Sequence, residues 1–235
     1  MFTALKNTFH NISHLFFPHL CLGCGSDAIS SNESICIECL YKLPETNFEN
    51  IEDNAVSKSL SGRVPFVYAS AIYYFTKQSI LQSIIFQLKY KHQSNLGIEL
   101  GELMGKKLSQ SKLYEDVDVL IPLPLHPKKM RQRGYNQAQV LCEGIQTFWN
   151  KPIINNAVIR QHNTKTQTKK DRTHRWQNME SVFIMNNEAL IINKHILLID
   201  DVITTGASIE AFYQAVQHIP NIKFSVCTLA YTSNM

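Results

Sequence analysis

The chain has 235 residues, of which 44% are hydrophobic and 18% are charged, and its formal net charge is +4. This size and composition suit one substantial globular domain with a small additional module, and no apolar run approaches the roughly 20 residues of a membrane span. We therefore predict no stable membrane insertion, while the mild positive charge permits contact with anions or nucleic acid without requiring it.

The first twenty residues carry apolar side chains at helical spacing, at Phe2, Leu5, Phe9, Ile12 and Phe16. We interpret this segment as a helix that packs on the protein's own core. An interfacial membrane helix is the weaker alternative, because Lys6 is the only firm positive charge on its polar face. The segment also lacks the compact apolar centre and small-residue cleavage site of a secretory signal, so we expect a cytoplasmic protein.

Four of the six cysteines form two C-x2-C pairs, Cys21 with Cys24 and Cys36 with Cys39. Two such pairs present four thiolates to one tetrahedral ion, which is the arrangement of a structural zinc site. Two disulfides are disfavoured without a secretory signal, and a redox centre would need only one pair on a thioredoxin-like pattern. We predict zinc that stabilises the fold and has no open position for catalysis.

The remaining pattern predicts a three-part chain. Residues 1–45 hold the N-terminal helix and the zinc-binding module, residues 46–63 form a polar linker, and residues 64–235 form a second domain. Strand-like segments in this domain alternate with helical ones. The strands are predicted at 66–75, 117–125, 181–185, 195–200 and 223–231, and the helices at 80–88, 96–108, 138–148 and 209–219. Such alternation indicates an α/β domain with a mostly parallel sheet.

The most informative segment is the apolar strand 196–199, which is followed by two carboxylates, Asp200 and Asp201. A loop of small residues comes next and consists of Thr204, Thr205, Gly206, Ala207 and Ser208. Ligands of open α/β sheets bind beyond the carboxyl ends of the strands, and a helix N-terminus there suits a phosphate. Adjacent carboxylates suit the hydroxyls of a ribose instead. Helix capping explains one of these residues but not the set, so we predict a ribose 5-phosphate site.

A second polar loop follows the strand at 117–121. It consists of Pro122, Leu123, Pro124, Leu125 and His126, and the cations Lys128, Lys129, Arg131 and Arg133 come directly after it. A solvated basic turn is the ordinary interpretation of such a run. Its position at the same sheet edge as the Asp pair favours an anion site, because a pyrophosphate needs backbone donors and nearby cations.

These segments together resemble the ComF family of competence-associated, phosphoribosyltransferase-like proteins, which includes the GntX-type members. The resemblance covers nearly the whole chain and depends on the paired cysteines, the LKYKHQSNLG stretch at 88–97 and the RGYNQA segment at 133–138. The Asp-Asp loop itself is similar to the ribose-phosphate signature of type I phosphoribosyltransferases. The resemblance therefore implies a type I phosphoribosyltransferase-like domain that binds 5-phosphoribosyl 1-pyrophosphate with Mg²⁺.

The resemblance also implies roles for particular segments. The proline-rich loop 122–126 corresponds to the pyrophosphate loop, and the polar stretch 160–178 to a mobile lid. The lid pattern is met by Arg160, Thr164, Gln167, Arg175, Asn178 and Phe183, and Lys165 is a further candidate lid residue. The chain departs from the lid pattern at Lys169 and Lys170, where Gly and Leu-like residues are expected.

Two classes of function stay open at this point. One is a glycosyltransferase, specifically a phosphoribosyltransferase with an unknown acceptor. The other is a non-catalytic protein of DNA uptake and natural transformation that handles single-stranded DNA with the competence machinery, or that senses a sugar phosphate. The candidate DNA-binding residues are the cations Lys89, Lys91, Lys128, Lys129, Arg131 and Arg133, with Tyr90 and Tyr135 as stacking platforms.

Overall fold

The computed structural model describes residues 19–160 and 182–232. The predicted N-terminal helix and the lid residues Thr164, Lys165, Gln167, Arg175 and Asn178 lie outside the described residues, so they stay predictions. Within the two described ranges, no helix has the length and apolar character needed to cross a membrane.

The described residues form seven helices and six strands. The helices are α1 (Ile37–Tyr41), α2 (Ala55–Leu60), α3 (Ile80–Tyr90), α4 (Ser94–Gln110), α5 (Pro127–Arg133), α6 (Gln137–Phe148) and α7 (Ala207–Val216). The strands are β1 (Ala69–Phe75), β2 (Val119–Pro122), β3 (Val158–Arg160), β4 (Phe183–Met185), β5 (His195–Ile203) and β6 (Lys223–Thr232). Single 3-10 turns lie at Phe48–Asn50, Lys112–Tyr114 and Glu188–Leu190.

Four of the strands form one parallel sheet in the order β1-β6-β5-β2. Leu198 of β5 lies opposite Ile121 of β2 on one side and Val226 of β6 on the other. All three side chains are buried, as expected for parallel strands that are covered on both faces. The short strands β3 and β4 pair antiparallel as a separate two-stranded sheet. The predicted α/β class with a mostly parallel sheet is confirmed.

Alternation along β5 divides the core between the two faces of the sheet. Leu197 and Ile199 pack in one apolar cluster, and Ile196 and Leu198 pack in the other. The first cluster includes α3, α4 and α6. At Gly144 of α6, a Cβ atom would lie 2.1 Å from the carbonyl oxygen of Ile98, so these two helices touch through their backbones.

The cysteine module, residues 19–43, packs on the first face of the sheet. Cys21, Cys36 and Cys39 belong to the same core cluster as the residues of α3 and α4. The Glu99 carboxylate of α4 accepts hydrogen bonds from the Ser34 amide at 2.9 Å and from the Ser34 hydroxyl at 2.6 Å. The module is therefore joined to the sheet by apolar packing and by a hydrogen-bonded carboxylate.

The stretch 46–63, interpreted above as a polar linker, is folded onto the second face of the sheet. Helix α2 begins with a capping box, in which Asn54 accepts from the amide of Ser57 at 3.1 Å and Ser57 accepts from the amide of Asn54 at 2.9 Å. Val56 and Leu60 are fully buried. The linker interpretation is corrected here, because a few apolar side chains at helical spacing pack this polar stretch onto the core.

Candidate functional site

The two carboxylates lie near the end of β5, a central strand of the sheet. The strand continues to Ile203, so Asp200 and Asp201 lie inside its final four residues rather than after it. The Asp201 amide donates to Asp200 Oδ1 at 2.8 Å. Successive side chains of a strand point to opposite faces of the sheet. Both Asp200 and Asp201 nevertheless line one cleft, which lies at the edge where the strand ends.

Lys89 of α3 forms an ion pair with this carboxylate pair. Its Nζ lies 2.9 Å from Asp201 Oδ1, and the two side chains are 21% and 10% exposed. From the sequence, Lys89 is predicted only as a DNA-binding cation. No local pattern could have placed it beside Asp201, because the contact joins distant parts of the chain.

Asp200 has an unusual proton affinity. Burial, and then the neighbouring Asp201 carboxylate, raise the pKa of Asp200 to about 7, although the Asp201 amide, Lys89 and Arg160 act in the opposite direction. Asp200 therefore titrates near neutral pH. A ligand that donates hydrogen bonds to the carboxylate, or a cation beside it, would favour the ionised form.

The loop 204–208, which is predicted to bind a phosphate and is here called the phosphate loop, turns from β5 into α7. Gly206 is the N-cap residue and has φ 74°, and a Cβ atom there would lie 2.6 Å from Leu60 Cδ2. The N-cap residue offers no side-chain hydrogen bond to α7, which leaves this helix end suited to an anion. Thr204 and Ser208 line the cleft, whereas Thr205, Gly206 and Ala207 do not.

Arg63 holds the outer side of the phosphate loop, which the sequence analysis did not anticipate. Its Nη1 donates to the Thr205 carbonyl at 2.6 Å, and its Nη2 and Nε donate to Glu210 Oε2 of α7 at 2.6 and 3.1 Å. Through Arg63, the stretch 46–63 therefore holds both the phosphate loop and the first turn of α7 in place.

The proline loop, residues 122–126, lies beside the Asp pair. The Leu123 amide donates to the Ile199 carbonyl at 2.9 Å, and the Asn136 side-chain amide donates to the Leu123 carbonyl at 3.0 Å. Leu123, Pro124 and Leu125 line the cleft, whereas Pro122 is the buried last residue of β2. His126 caps α5 by accepting from the Lys128 amide at 3.1 Å.

The basic run after this loop is a short helix, α5, rather than a solvated turn. Lys129 and Arg133 line the cleft, while Lys128 and Arg131 are exposed and do not. Tyr135, predicted as a stacking platform, is half-buried and donates its hydroxyl to the Leu88 carbonyl at 2.5 Å. Its ring therefore packs on the core instead of facing solvent.

Arg160, predicted as part of a mobile loop, is the last residue of β3. It pairs with Phe183 of β4, and its guanidinium carbon lies 5.2 Å from the centre of the Phe183 ring. Phe183 is fully buried and packs edge-to-face on Phe212 of α7. The paired strands β3 and β4 thus present Arg160 to the cleft, where its charge acts on Asp200 together with that of Lys89.

The cleft that these elements enclose has a volume of about 430 Å³. Its charged lining side chains are the cations Lys89, Lys129, Arg133 and Arg160 and the carboxylates Asp200 and Asp201. An excess of cations, with carboxylates confined to one strand end, suits a ligand that carries several negative charges together with hydroxyl donors.

The four paired cysteines converge on one point. The sulfurs of Cys21, Cys24, Cys36 and Cys39 all lie within 4.8 Å of one another, and those of Cys24 and Cys36 are 3.7 Å apart. A tetrahedral zinc ion with bonds of about 2.3 Å requires sulfur separations of about 3.8 Å. All six cysteines are unbridged. The donor set therefore fits a four-thiolate zinc ion.

The thiol environments also favour a bound cation. The amides of Gly23 and Cys36 donate to Cys21 Sγ at 3.4 and 3.2 Å. Burial, and then the neighbouring sulfurs, raise the pKa of Cys39 well above its ordinary value. Thiols this close together cannot all ionise unless a positive ion offsets their repulsion.

Comparison with known proteins gives several relatives, although no family model matches the chain. Competence protein F of Haemophilus influenzae is 32% identical over 139 residues, which cover 55% of this chain and 58% of that protein. Competence protein ComFC of Bacillus subtilis is 39% identical over 102 residues, or 43% of this chain and 39% of that protein. DNA utilization protein YhgH of Escherichia coli K12 is 26% identical over 137 residues, or 57% and 60%. The chain thus spans about three fifths, or less, of these relatives.

The solved structures with partial similarity include the following two. The glutamine phosphoribosylpyrophosphate amidotransferase of B. subtilis has 13% identity and a TM-score of 0.39 over 57% of this chain and 26% of that one. The adenine phosphoribosyltransferase of Leishmania tarentolae has 11% identity and a TM-score of 0.35 over 77% and 88%. Both scores are below 0.5, so the fold assignment rests on the observed sheet rather than on these similarities.

Proposed function

We propose that the chain is a member of the ComF family of competence-associated proteins and that its cleft binds 5-phosphoribosyl 1-pyrophosphate. One observation carries the proposal: the Asp pair, the phosphate loop and the proline loop open into a single cleft whose other charged residues are cations. The Asp pair matches the ribose hydroxyls of that ligand, the phosphate loop matches its 5-phosphate, and the proline loop matches its diphosphate.

The ligand's parts are assigned by chemistry. Asp200 and Asp201 accept hydrogen bonds from the vicinal ribose hydroxyls, which carboxylates do well and amides do poorly. The 5-phosphate lies at the N-terminus of α7, where Thr204 and Ser208 add hydroxyl donors. The diphosphate lies along the proline loop, within reach of Lys129 and Arg133.

Magnesium would enter with the ligand. Mg²⁺ prefers oxygen donors, and it would be held largely by the ligand's own diphosphate and ribose oxygens, with the Asp pair as the chain's contribution. When bound, the ion would neutralise diphosphate charge. The chain's own residues orient the ribose and surround the diphosphate with positive charge.

Transfer of the ribose would form a bond between C1 and an acceptor atom, while the bond from C1 to the diphosphate oxygen breaks and its electron pair leaves with pyrophosphate. The reacting carbon becomes cation-like, so catalysis would consist of positioning and charge stabilisation. Lys129, Arg133 and Arg160 would stabilise the departing pyrophosphate. The acceptor stays open, as does the alternative that the protein senses the ligand without turnover.

Calorimetry tests the ligand assignment. Wild-type protein should bind 5-phosphoribosyl 1-pyrophosphate in the presence of Mg²⁺, and Asp200→Asn with Asp201→Asn should weaken binding at least about tenfold, because hydrogen bonds to charged groups are lost. Asp53→Asn is the control, since Asp53 is an exposed carboxylate paired with Lys58 away from the cleft. Unchanged affinity in the double variant would remove the ribose assignment.

Pyrophosphate release separates an enzyme from a binder. The protein is incubated with the ligand, Mg²⁺ and a panel of nucleobases and amines, and pyrophosphate is measured. Release that depends on one acceptor identifies a phosphoribosyltransferase. Tight binding without release for any acceptor in the panel favours the sugar-phosphate sensor.

Binding of single-stranded DNA is a second candidate function, and the distribution of carboxylates favours it. The sequence has no Asp or Glu between Asp53 and Glu99, or between Asp118 and Glu143. Arg133 of the second stretch lies over Tyr90 of the first, so the two acid-free stretches meet in space. Stretches without carboxylates that meet in space and carry cations favour contact with a phosphate backbone. Partners in the competence machinery stay part of this second proposal.

Salt dependence tests this second candidate. Binding to a single strand should weaken with salt by a slope near 0.7 per neutralised phosphate, and replacing Lys128, Lys129 and Arg131 with Ala should flatten the slope by about two units. An unchanged slope in the variant would move the DNA surface to another part of the molecule.

A further inference from the structure

Two large aromatic rings lie side by side on the solvent face of α3. Phe86 and Tyr90 are 50% and 51% exposed, and their ring centres are 5.2 Å apart with an angle of 45° between the planes. A residue and the one four positions later share a helix face, so these rings form one continuous surface, here called the aromatic shelf. Adjacent exposed rings of this kind mark an interaction site more often than scattered ones do.

The shelf has a cation at one end. The guanidinium carbon of Arg133 lies 5.5 Å from the centre of the Tyr90 ring, and Arg133 also donates to Gln137 at 2.7 Å. Arg133 lines the cleft as well, so the shelf adjoins the proposed diphosphate region. Lys91 is exposed just beyond Tyr90.

The other end of the shelf opens into an uncharged groove of about 580 Å³. Phe86 is one of its walls, and Gly23 of the cysteine module is another. The remaining lining residues are mostly amides and hydroxyls, namely Gln78, Ser79, Ile80, Gln82, Ser83 and Gln87. The groove therefore offers hydrogen-bond donors and acceptors without any charge.

A surface with amides at one end, aromatic rings in the middle and cations at the other end fits a single-stranded nucleic acid. An apolar protein segment would not need the amides or the cations, and a small polyanion would not need the rings. Unpaired nucleobases use all three, because their faces stack on rings, their edges bond to amides and their backbone is anionic. No carboxylate occurs in the stretch 54–98 that carries the shelf, and the nearby Asp201 is paired with Lys89 of the same helix.

We propose that the aromatic shelf of Phe86 and Tyr90 is a stacking platform for unpaired bases of a single strand, whose backbone passes Arg133 and Lys91. The inference rests on the second candidate function and deepens it. It assigns base stacking to Phe86 and Tyr90, and it removes this role from Tyr135, whose ring packs on the core.

The test compares two strands that differ only in their bases. Fluorescence anisotropy is measured with an oligo-dT of about 20 nucleotides and with an abasic strand of equal length, because only the former can stack. Wild type should bind oligo-dT at least about tenfold more tightly than the abasic strand. Phe86→Ala with Tyr90→Ala should bind both strands equally, with the wild-type affinity and salt slope for the abasic one.

Phe148→Ala is the matched control, because Phe148 is 55% exposed at the far end of α6 from the cleft-lining Gln137. It should keep the preference for oligo-dT. If circular dichroism shows that the alanine pair disturbs the fold, Phe86→Leu with Tyr90→Leu keeps apolar contact while it removes the rings, and it should also lose the preference.

Each other outcome overturns a distinct claim. A double variant that retains the preference overturns the shelf but leaves DNA binding intact. A wild type that binds the two strands equally excludes stacking altogether. A wild type that binds neither strand at low salt removes the second candidate function, and the shelf with it.

Discussion

At the scale of single residues, the site depends on charges that are held close together and partly removed from water. Asp200 and Asp201 adjoin on one strand, and Lys89 neutralises only part of their combined charge. Carboxylates kept together in this way cost stability that a folded protein recovers only when a ligand or cation binds. The Asp pair is therefore expected to favour binding at the expense of stability.

Asp200→Asn should stabilise the protein above neutral pH. The pKa of Asp200 is about 7 in the folded state, and an unfolded aspartate has a value of about 3.9. Between these values the folded state retains a proton that the unfolded state has released, so stability falls as the pH rises through this window. Asparagine does not titrate. Urea unfolding should show the variant more stable than wild type by roughly 1–3 kcal/mol near pH 8, and about equal to it near pH 4.

The contradicting result is a stability difference that does not change between the two pH values. It would mean that the Asp200 carboxyl titrates at its ordinary pKa and that neither burial nor Asp201 perturbs it.

Lys89→Met should weaken binding of the proposed ligand and shift its pH dependence. Lys89 lowers the pKa of Asp200, so its removal should move that pKa, and the pH at which binding begins, upward. Calorimetry at several pH values measures the shift, and Lys89→Arg is the control that keeps the charge. Equal pH profiles for wild type and Lys89→Met would show that Lys89 does not act on the Asp pair.

At the scale of elements, the phosphate loop is held from outside by a segment distant in the chain. Leu60 of α2 lies against Gly206, and Arg63 binds Thr205 and Glu210. The loop's shape therefore depends on α2 as well as on its own sequence.

Gly206→Ala should reduce both stability and phosphate affinity. The residue has φ 74°, which an L side chain adopts at a cost of about 1 kcal/mol, and its Cβ would also collide with Leu60. Gly62→Ala is the matched control, because Gly62 has φ 73° and open space around it. Thermal unfolding and phosphate titration should show a loss for Gly206→Ala that exceeds the loss for Gly62→Ala. Equal losses would show that the contact with Leu60 does not shape the loop.

The same elements show what the sequence could and could not predict. The unbroken apolar run of β5 and the helical spacing in α3, α4 and α6 predicted these elements well, because burial on one or two faces leaves a local pattern. Helix α2 was missed, since its polar composition hides the few side chains that anchor it. Arg63 was missed, and Lys89 was predicted to bind DNA rather than to pair with Asp201, because these contacts are set by the tertiary fold and leave no local pattern.

At the scale of the whole molecule, the cysteine module and the sheet share one hydrophobic core. Three of the four clustered cysteines are buried in that core, and Glu99 fastens Ser34 to α4. Loss of a metal at the cysteines should therefore affect more than the module itself.

Purified protein should contain about one zinc ion per chain, and Cys36→Ser should lose it. A chelator should lower the unfolding temperature of wild type and expose the module to protease, while the variant should be insensitive to chelator because its metal is already lost. Elemental analysis and thermal unfolding measure both effects. Wild type with well below one zinc per chain and disulfide-bonded cysteines would contradict the metal assignment.

The central claim is that the cleft at the end of β5 binds a phosphorylated ribose diphosphate. A crystal structure of the protein with 5-phosphoribosyl 1-pyrophosphate and Mg²⁺ tests it most directly. We expect the 5-phosphate at the N-terminus of α7, the ribose hydroxyls on Asp200 and Asp201, and the diphosphate beside the proline loop. A ligand bound elsewhere, or one whose diphosphate lies in the phosphate loop with the ribose turned away from the Asp pair, would contradict it.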